Sequence, residues 1–173
     1  DALIRIAETY QLPLIEDAAE SLGALWKGQG IGAPLGESSS ILRTTCTSFN
    51  GNKIMTTGGG GALLTNSKTL AQSARHLCTT AKTDDIEFDH DRVGYNYRLG
   101  NMAAALGIGQ LEQLNSFLER KKQIATQYQK ELSALDGIEC LHPTGENTTN
   151  SYWLYTILLK DNSRKLLQHL AES

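Results

Sequence analysis

Apolar positions along the chain switch between helical and extended spacing, which predicts an α/β order of elements. In "DALIRIAETY" they recur every three or four residues, as on one face of a helix. "QLPLIED" then groups apolar residues and closes on two carboxylates, as at the end of a short strand over residues 12–15. Helix, strand and polar strand end in succession are typical of an α/β fold.

The same spacing predicts the elements that follow. "TTCTSF" and "GALLTN" predict two further strands, and "SKTLAQSARHL" predicts a helix. Residues 79–99 are polar and irregular. A long helical region comes next, in "NMAAALGIGQLEQL" and "FLERKKQIATQYQKEL", with a break near Asn115.

The second half of that helical region carries an apolar stripe that is predicted to face a core. Its members lie close to one helical face: Leu118, Ile124, Tyr128, Leu132 and Leu135.

The C-terminal part of the chain predicts a loop with a short strand, followed by a buried strand in "SYWLYTILL". Trp153 and Tyr155 are expected to pack in that strand rather than stack on a ligand. Composition changes near residues 115–120. We therefore expect residues 1–117 to be part of a large α/β domain, and residues 118–173 to form a linking helix and the start of a smaller domain.

Composition and charge exclude several classes of protein. The 173 residues, 40% hydrophobic, allow a substantial core, and 16 basic against 19 acidic residues leave a net charge of -3 without the basic patch of a nucleic-acid binder. Three cysteines without CxxC spacing favour a reducing, cytoplasmic setting. No apolar run approaches the ~20 residues of a membrane span. The chain opens inside a helix without Met, so we expect a segment of a longer protein.

The stretch "SFNGNKIMTTGGGG" places Lys53 in a turn of small polar residues, shortly before four glycines. A lysine in such a turn is commonly a solvated surface charge, and a glycine run is also typical of a flexible linker. Alternatively, the glycines let the backbone approach a bound group closely. Neither GxxxxGK[ST] nor GxGxxG is present, so a nucleotide fingerprint does not explain them.

Asp17 stands at the carboxyl end of a predicted strand, where open α/β sheets keep their ligands. The alternative is a helix cap, since Asp before Ala-Ala readily starts a helix. Together, Asp17 and Lys53 match the needs of pyridoxal 5'-phosphate. That cofactor requires a lysine amine for its Schiff base and a carboxylate that faces its ring nitrogen.

Other polar clusters give weaker indications. The acidic stretch "TDDIEFDHD" lacks the spacing of a calcium loop or a zinc motif, so we expect a solvated loop and no metal. The histidines His76, His142 and His169 have no triad-like neighbours. The acidic stretch contains Asp84, Asp85, Glu87, Asp89, His90 and Asp91.

Four stretches in order, "IEDAAESLGA", "SFNGNKIMTTGGGGALLTN", "RHLCTTAKT" and "VGYNYRLGNMAAALGIGQLEQL", resemble the DegT/DnrJ/EryC1/StrS family of sugar aminotransferases. The resemblance runs over nearly the whole chain. It implies an α/β fold, the central part of an aspartate aminotransferase-like (fold type I) transferase dependent on pyridoxal phosphate, truncated at both ends.

The resemblance also implies roles for individual residues. Lys53 would form the Schiff base, and Asp17 would pair with the pyridinium nitrogen. Glu20 falls where the family keeps a polar residue near the cofactor's 3-hydroxyl, and Ser48 would hold the phosphate.

The resemblance implies that two residues of "GYNYR" contact the neighbouring subunit's site or the substrate. Asn96 matches an asparagine that contacts the phosphate in the neighbouring subunit's site, which would make the active unit a homodimer. Its alternative is an ordinary turn residue. Arg98 would steady a substrate carboxylate or phosphate, with an ion pair as an equal alternative.

Within the family, "SFNGNK", "TTAK" and "GYNYRL" look most like the branch that aminates carbon 4 of nucleotide-linked 4-keto-6-deoxysugars, with L-glutamate as the donor. The alternatives are a sibling that acts on a 3-keto sugar or a cyclitol, and a non-catalytic fragment or pseudoenzyme. The family's upstream phosphate-binding segment does not occur in this sequence. Residues 33–47 differ from the family's usual short link, which leaves the position of the lysine strand open.

Overall fold

Helices and strands follow one another along the computed structural model, which describes residues 1–33, 41–84, 86–141, 145–161 and 163–172. The helices in these ranges are α1 (Ala2–Thr9), α2 (Lys68–Cys78), α3 (Asn101–Glu112), α4 (Leu114–Leu132) and α5 (Ser163–Glu172). The strands are β1 (Leu14–Asp17), β2 (Leu25–Trp26), β3 (Arg43–Ser48), β4 (Gly61–Thr65), β5 (Ile138–Leu141), β6 (Thr148–Thr149) and β7 (Thr156–Leu159).

A three-stranded sheet in the order β1-β3-β4 forms the centre of the N-terminal part. β1 and β3 are parallel, with Asp17 opposite Cys46, and β3 and β4 are antiparallel, with Ser48 opposite Gly61. The carboxyl ends of β1 and β3 therefore lie at one edge of the sheet. The predicted strands are found, with β1 shifted two residues toward the carboxylates.

Arg43, the first residue of β3, joins that strand to β1 by a half-buried ion pair and also binds the stretch before β3. Arg43 donates to Glu16 through Nε at 2.8 Å, and its Nη1 donates to the carbonyl of Ala33 at 2.6 Å. Thr45 donates to the same Glu16 oxygen at 2.5 Å, which satisfies a carboxylate that the sheet would otherwise desolvate. Residues 34–40, within the stretch that departs from the family, lie outside the described residues.

The long helical region is divided into α3 and α4 at Gln113, two residues before the predicted position. α3 packs on the loop after β3, where Gly107 lies so close to Thr57 that an added Cβ would come within 2.9 Å of its methyl group. The break therefore leaves α3 on the sheet side, whereas α4 leads to the C-terminal hairpin. The division of domains at residue 117 stays a prediction.

The prediction that the apolar stripe of α4 faces a core is only partly met. Ile124, Tyr128 and Leu135 are 38%, 49% and 51% exposed, and the buried residue of the helix is Ala125. Tyr128 instead stacks on Tyr155, with ring centroids 5.2 Å apart, so the residue just before β7 covers this part of the stripe.

The prediction of a buried strand over "SYWLYTILL" is wrong in extent for its first half and wrong in burial for its second. β7 spans only Thr156–Leu159, pairs with β5 alone and alternates between exposed and half-buried positions. Tyr152 has φ +51, a backbone conformation that cannot continue a strand. The short pair β2–β6 and the helix α5 were not predicted.

The best-packed part of the described chain lies around the sheet and the loop after β3. Met55 and Thr45 are each 1% exposed and Ala81 is fully buried. Among the helices of the described residues, none is long and apolar enough to cross a membrane.

Candidate active site

The predicted site residues of the N-terminal half meet at one sheet edge. Asp17 ends β1 and Ser48 ends β3, and the parallel pairing of these strands brings both ends to the same side. The carboxyl edge of parallel strands is where α/β folds bind ligands. Glu20 and Lys53 follow the two strand ends within a few residues, so both are carried to this edge.

A closed turn presents Lys53; we call residues 48–60 the lysine turn. The Lys53 N–H donates to the carbonyl of Asn50 at 3.0 Å, and the Asn50 N–H donates to Ser48 Oγ at 3.3 Å. Asn50 Nδ2 also donates to Asn52 Oδ1 at 3.2 Å. Small polar residues are needed here because they satisfy the backbone where the strand ends.

The lysine turn is held down by buried neighbours and by α3. Ile54 and Met55 are buried directly after Lys53, and the Thr56 N–H donates to Gln110 Oε1 of α3 at 3.0 Å. Phe49 closes the turn, since its carbonyl accepts the Thr57 N–H at 3.0 Å. The turn is therefore a fixed part of the fold and not a linker.

The Lys53 side chain is only 12% exposed, so it is not the solvated surface charge of the alternative interpretation. Its Nζ lies 3.7 Å from Glu20 Oε1 and 4.2 Å from the centroid of the Trp153 ring. Both contacts favour a positive charge in a half-buried position. The amine thus has a carboxylate and an aromatic face as its nearest partners.

Trp153 is the residue of this site that sequence reasoning missed. It was expected to pack in a buried strand, but its Nε1–H donates to the Asn52 carbonyl at 2.6 Å, 101 positions away in the chain. No periodicity reports such a contact. Tyr155, from the same stretch, packs elsewhere, and its hydroxyl donates to Gln129 Oε1 of α4 at 3.0 Å.

Asp17 does not start a helix, so the helix-cap alternative is wrong. Its Oδ1 accepts the Ala19 N–H at 3.1 Å, and residues 19–23 form turns. Its Oδ2 has no hydrogen-bond partner within the described part of the chain. Asp17 also lines a cavity of about 360 Å³, together with Ser21, Trp26 and Arg43; Lys53 is not among the residues that line it.

The glycine run has two separate causes. Gly58 and Gly60 adopt φ +81 and +83, which glycine accommodates without strain. Gly61 lies in β4 so close to β3 that an added Cβ would clash with the carbonyl oxygen of Thr47. The run therefore turns the chain sharply and then packs it against β3.

Asn96 and Arg98 lie apart from this group in the contacts of the described residues. Asn96 forms a β-bridge with Thr79, and its side chain is exposed. Arg98 is exposed, and the adjoining Leu99 packs beside Gly60 at the end of the lysine turn. No hydrogen bond or ion pair recorded for the described chain joins either residue to Lys53.

The acidic stretch is organised by local hydrogen bonds. Backbone N–H groups of Glu87 and Ile86 hold the pKa of Asp84 below its usual 3.8. His76 Nε2 lies 2.7 Å from Asp91 Oδ1, and this hydrogen bond lowers the pKa of Asp91. Among the described residues, no group of three or more His, Cys, Asp or Glu side chains is placed to hold a metal. Asp85 and His142 lie outside the described residues.

The whole chain is similar to proteins of one known family. The model of the DegT/DnrJ/EryC1/StrS aminotransferase family matches residues 1–173. EpsN of Bacillus subtilis (strain 168), whose name provisionally assigns it as a pyridoxal phosphate-dependent aminotransferase, is 38% identical over 99% of this chain and 43% of its own length. UDP-4-amino-4,6-dideoxy-N-acetyl-beta-L-altrosamine transaminase of Campylobacter jejuni subsp. jejuni serotype O:23/36 (strain 81-176) is 36% identical over 76% of this chain and 34% of its own length.

A solved structure gives the same result for the fold. DesV of S. venezuelae, crystallised in complex with a ketimine intermediate, superposes with a TM-score of 0.83 and 31% identity over 99% of this chain and 44% of DesV. The expected α/β transferase fold is confirmed. The chain spans less than half the length of these proteins.

Proposed function

This chain belongs to the DegT/DnrJ/EryC1/StrS aminotransferase family, and from that premise we propose that it carries the cofactor-binding centre of a pyridoxal 5'-phosphate-dependent sugar aminotransferase. The reaction proposed for the whole protein moves an amino group from L-glutamate to a nucleotide-linked 4-keto-6-deoxysugar. The relative named for a UDP-linked 4-amino-4,6-dideoxy sugar supports carbon 4 as the site of amination.

The residues at the sheet edge fit the cofactor chemically. Lys53 supplies a half-buried amine. Asp17 supplies a carboxylate at the end of β1, and Ser48 supplies a hydroxyl at the end of β3. When bound, pyridoxal phosphate supplies a ring that withdraws electrons from the carbon that loses its proton. The Asp17 Oδ2, which has no partner in the described chain, would hold the proton on the ring nitrogen.

Lys53 would first anchor the cofactor and then, once displaced by the donor amine, move the proton at the reacting carbon. Glu20, 3.7 Å from Lys53 Nζ, would keep the displaced amine close to the site. Ser48 would donate its hydroxyl to the phosphate, which leaves its Oγ still able to accept the Asn50 N–H at 3.3 Å.

The observation that carries this proposal is the half-buried Lys53 amine at the same sheet edge as Asp17. To test it, the intact protein is loaded with the cofactor, reduced with borohydride and digested, and the modified peptide is identified by mass. We expect one phosphopyridoxyl group, on Lys53. Lys53→Ala should remove it, because the proposed bonding amine is lost, whereas the control Lys130→Ala, on α4, should retain it.

A modified peptide elsewhere in the chain, or none in the wild-type protein, would contradict this role and favour the non-catalytic alternative. The substrate is tested separately, with a panel of nucleotide sugars that carry the keto group at carbon 3 or carbon 4. Faster turnover of 3-keto sugars or of a cyclitol ketone would assign the chain to the sibling branch.

The proposed homodimer is tested through Asn96, which no recorded contact joins to Lys53 of its own chain. If Asn96 serves the neighbouring subunit, a mixed dimer of Lys53→Ala and Asn96→Ala chains contains one intact site. We expect such mixtures to regain up to about one quarter of wild-type cofactor trapping. No gain over the separate variants would place Asn96 in its own subunit's site or outside any site.

A further inference from the structure

The indole ring of Trp153 covers the amine of Lys53. The ring centroid lies 4.2 Å from Nζ, well within the range of a cation–π contact. The Lys53 side chain is 12% exposed, so the ring and Glu20 replace most of the water that an ammonium group would otherwise bind.

Trp153 is fixed to the lysine turn from one side and to α4 from the other. Its Nε1–H donates to the carbonyl of Asn52, the residue before Lys53, at 2.6 Å. Its own carbonyl accepts Lys121 Nζ at 3.1 Å. The ring is thus attached to the same turn whose lysine it covers. Its hydrogen-bond partner there is a backbone carbonyl, which fixes the orientation of the ring toward that lysine.

A lysine side chain has four rotatable bonds and loses considerable conformational entropy when it is confined. A fixed aromatic face over its end restricts the positions open to the amine. We propose that Trp153 is the positioning residue of Lys53, holding its amine at the sheet edge whenever the amine is not bonded to another group. The importance of that position rests on the proposed function of Lys53.

The chain contains a matched control for this contact. Trp26 also lies beside a lysine, with Lys27 Nζ 5.6 Å from its ring centroid, but Trp26 is 48% exposed and its ring lies over Lys27, not over Lys53. A Trp26→Leu variant therefore removes an indole–lysine contact without touching Lys53.

The test is competitive labelling of lysines with acetic anhydride in the intact, cofactor-free protein, with each lysine quantified by mass. In Trp153→Leu we expect labelling of Lys53 to rise about tenfold, which corresponds to about 1.4 kcal/mol and lies within the range of partly desolvated cation–π contacts. Trp153→Phe keeps an aromatic face and should limit the rise to about threefold. Trp26→Leu should leave Lys53 unchanged.

Lys121 separates positioning from simple loosening. It binds the backbone carbonyl of Trp153, which the substitutions retain, so its labelling should stay constant if only the ring is lost. Unchanged Lys53 labelling in Trp153→Leu would overturn the proposal, and so would a parallel rise at Lys53 and Lys121. Trp153→Met, whose flexible side chain fills part of the vacated space without an aromatic face, is the second variant if Leu prevents folding, with the same outcomes.

Failure of this inference is distinguishable from failure of the proposed function, because the labelling needs no cofactor. Wild-type protein that traps cofactor on Lys53 but labels alike in all Trp153 variants would refute the positioning role alone. Wild-type protein that traps none would refute the cofactor role of Lys53, whatever the labelling shows.

Discussion

The lysine turn and the segment of residues 79–99 are both fixed through their backbones, yet they direct their side chains differently. Phe49 N–H donates to the Gly60 carbonyl at 2.9 Å in the first, and Tyr95 N–H donates to the Leu77 carbonyl at 2.8 Å in the second. In the first, the side chain of Lys53 is enclosed. In the second, Tyr97 is 73% exposed and stacks only on its exposed neighbour Tyr95.

The difference shows that a well-ordered backbone does not by itself complete a site. Lys53 is enclosed because a carboxylate from the turn after β1 and an indole from the C-terminal segment converge on it. Nothing within the described residues converges on Asn96 in the same way. In the second segment the side chains of Asn96, Tyr97 and Arg98 are exposed, which agrees with the proposal that Asn96 serves another chain.

The largest expected effect comes from adding a methyl group where the backbone is closely packed in each region. An added Cβ would clash with the Thr47 carbonyl at Gly61, the first residue after the lysine turn, and with the backbone of Thr80 and Ala81 at Gly94. We expect Gly61→Ala and Gly94→Ala each to lower the free energy of unfolding by about 2–4 kcal/mol, measured by urea denaturation. Gly51→Ala, where a Cβ meets open space, is the control. A loss of unfolding free energy in Gly61→Ala but not in Gly94→Ala would show that the two backbones are not equally closely packed.

A smaller effect is expected where α3 holds the lysine turn. Gln110→Met removes the oxygen that accepts the Thr56 N–H and leaves that half-buried donor unpaired. The free energy of unfolding should fall by about 1–2 kcal/mol. Gln123→Met, on the exposed face of α4, serves as the control. Equal stability of both variants would show that burial of Met55, and not this hydrogen bond, fixes the turn.

Little change in stability is expected at the outward side chains of the second segment. Asn96→Ala and Arg98→Ala should alter the free energy of unfolding by less than about 0.5 kcal/mol, because both side chains are exposed. Thermal denaturation at a fixed protein concentration measures this. A loss above about 2 kcal/mol for either variant would give that side chain a structural role within its own chain and end the contrast.

The smallest effect concerns pH in the second segment. The His76 hydrogen bond lowers the pKa of Asp91, so the folded carboxylate titrates below its usual 3.8. Its contribution to stability is complete above that value and fades as the pH falls through the lowered pKa. Titration of the Asp91 carboxyl by NMR measures the midpoint, and His76→Phe should raise it. An unchanged midpoint would show that the pair is not formed in solution.

Much of the fold was predictable because its signals are local. The strands β1, β3 and β4, the helix α2 and the break between α3 and α4 all follow from spacing and turn residues. The strand over residues 151–155 was wrong because a run of apolar and aromatic residues does not reveal that Tyr152 adopts φ +51. β2 and β6 were missed because two-residue strands depend on a partner far along the chain.

The sequence by itself determined that Lys53 follows a strand within a polar turn and that a carboxylate ends an earlier strand, since both are matters of neighbouring residues. Only the tertiary structure decided that Glu20 lies within 3.7 Å of Lys53 Nζ and that Trp153 covers it. Such contacts join residues more than thirty or about one hundred positions apart, and their geometry depends on strand pairing and on the path of the intervening chain, which no local pattern encodes.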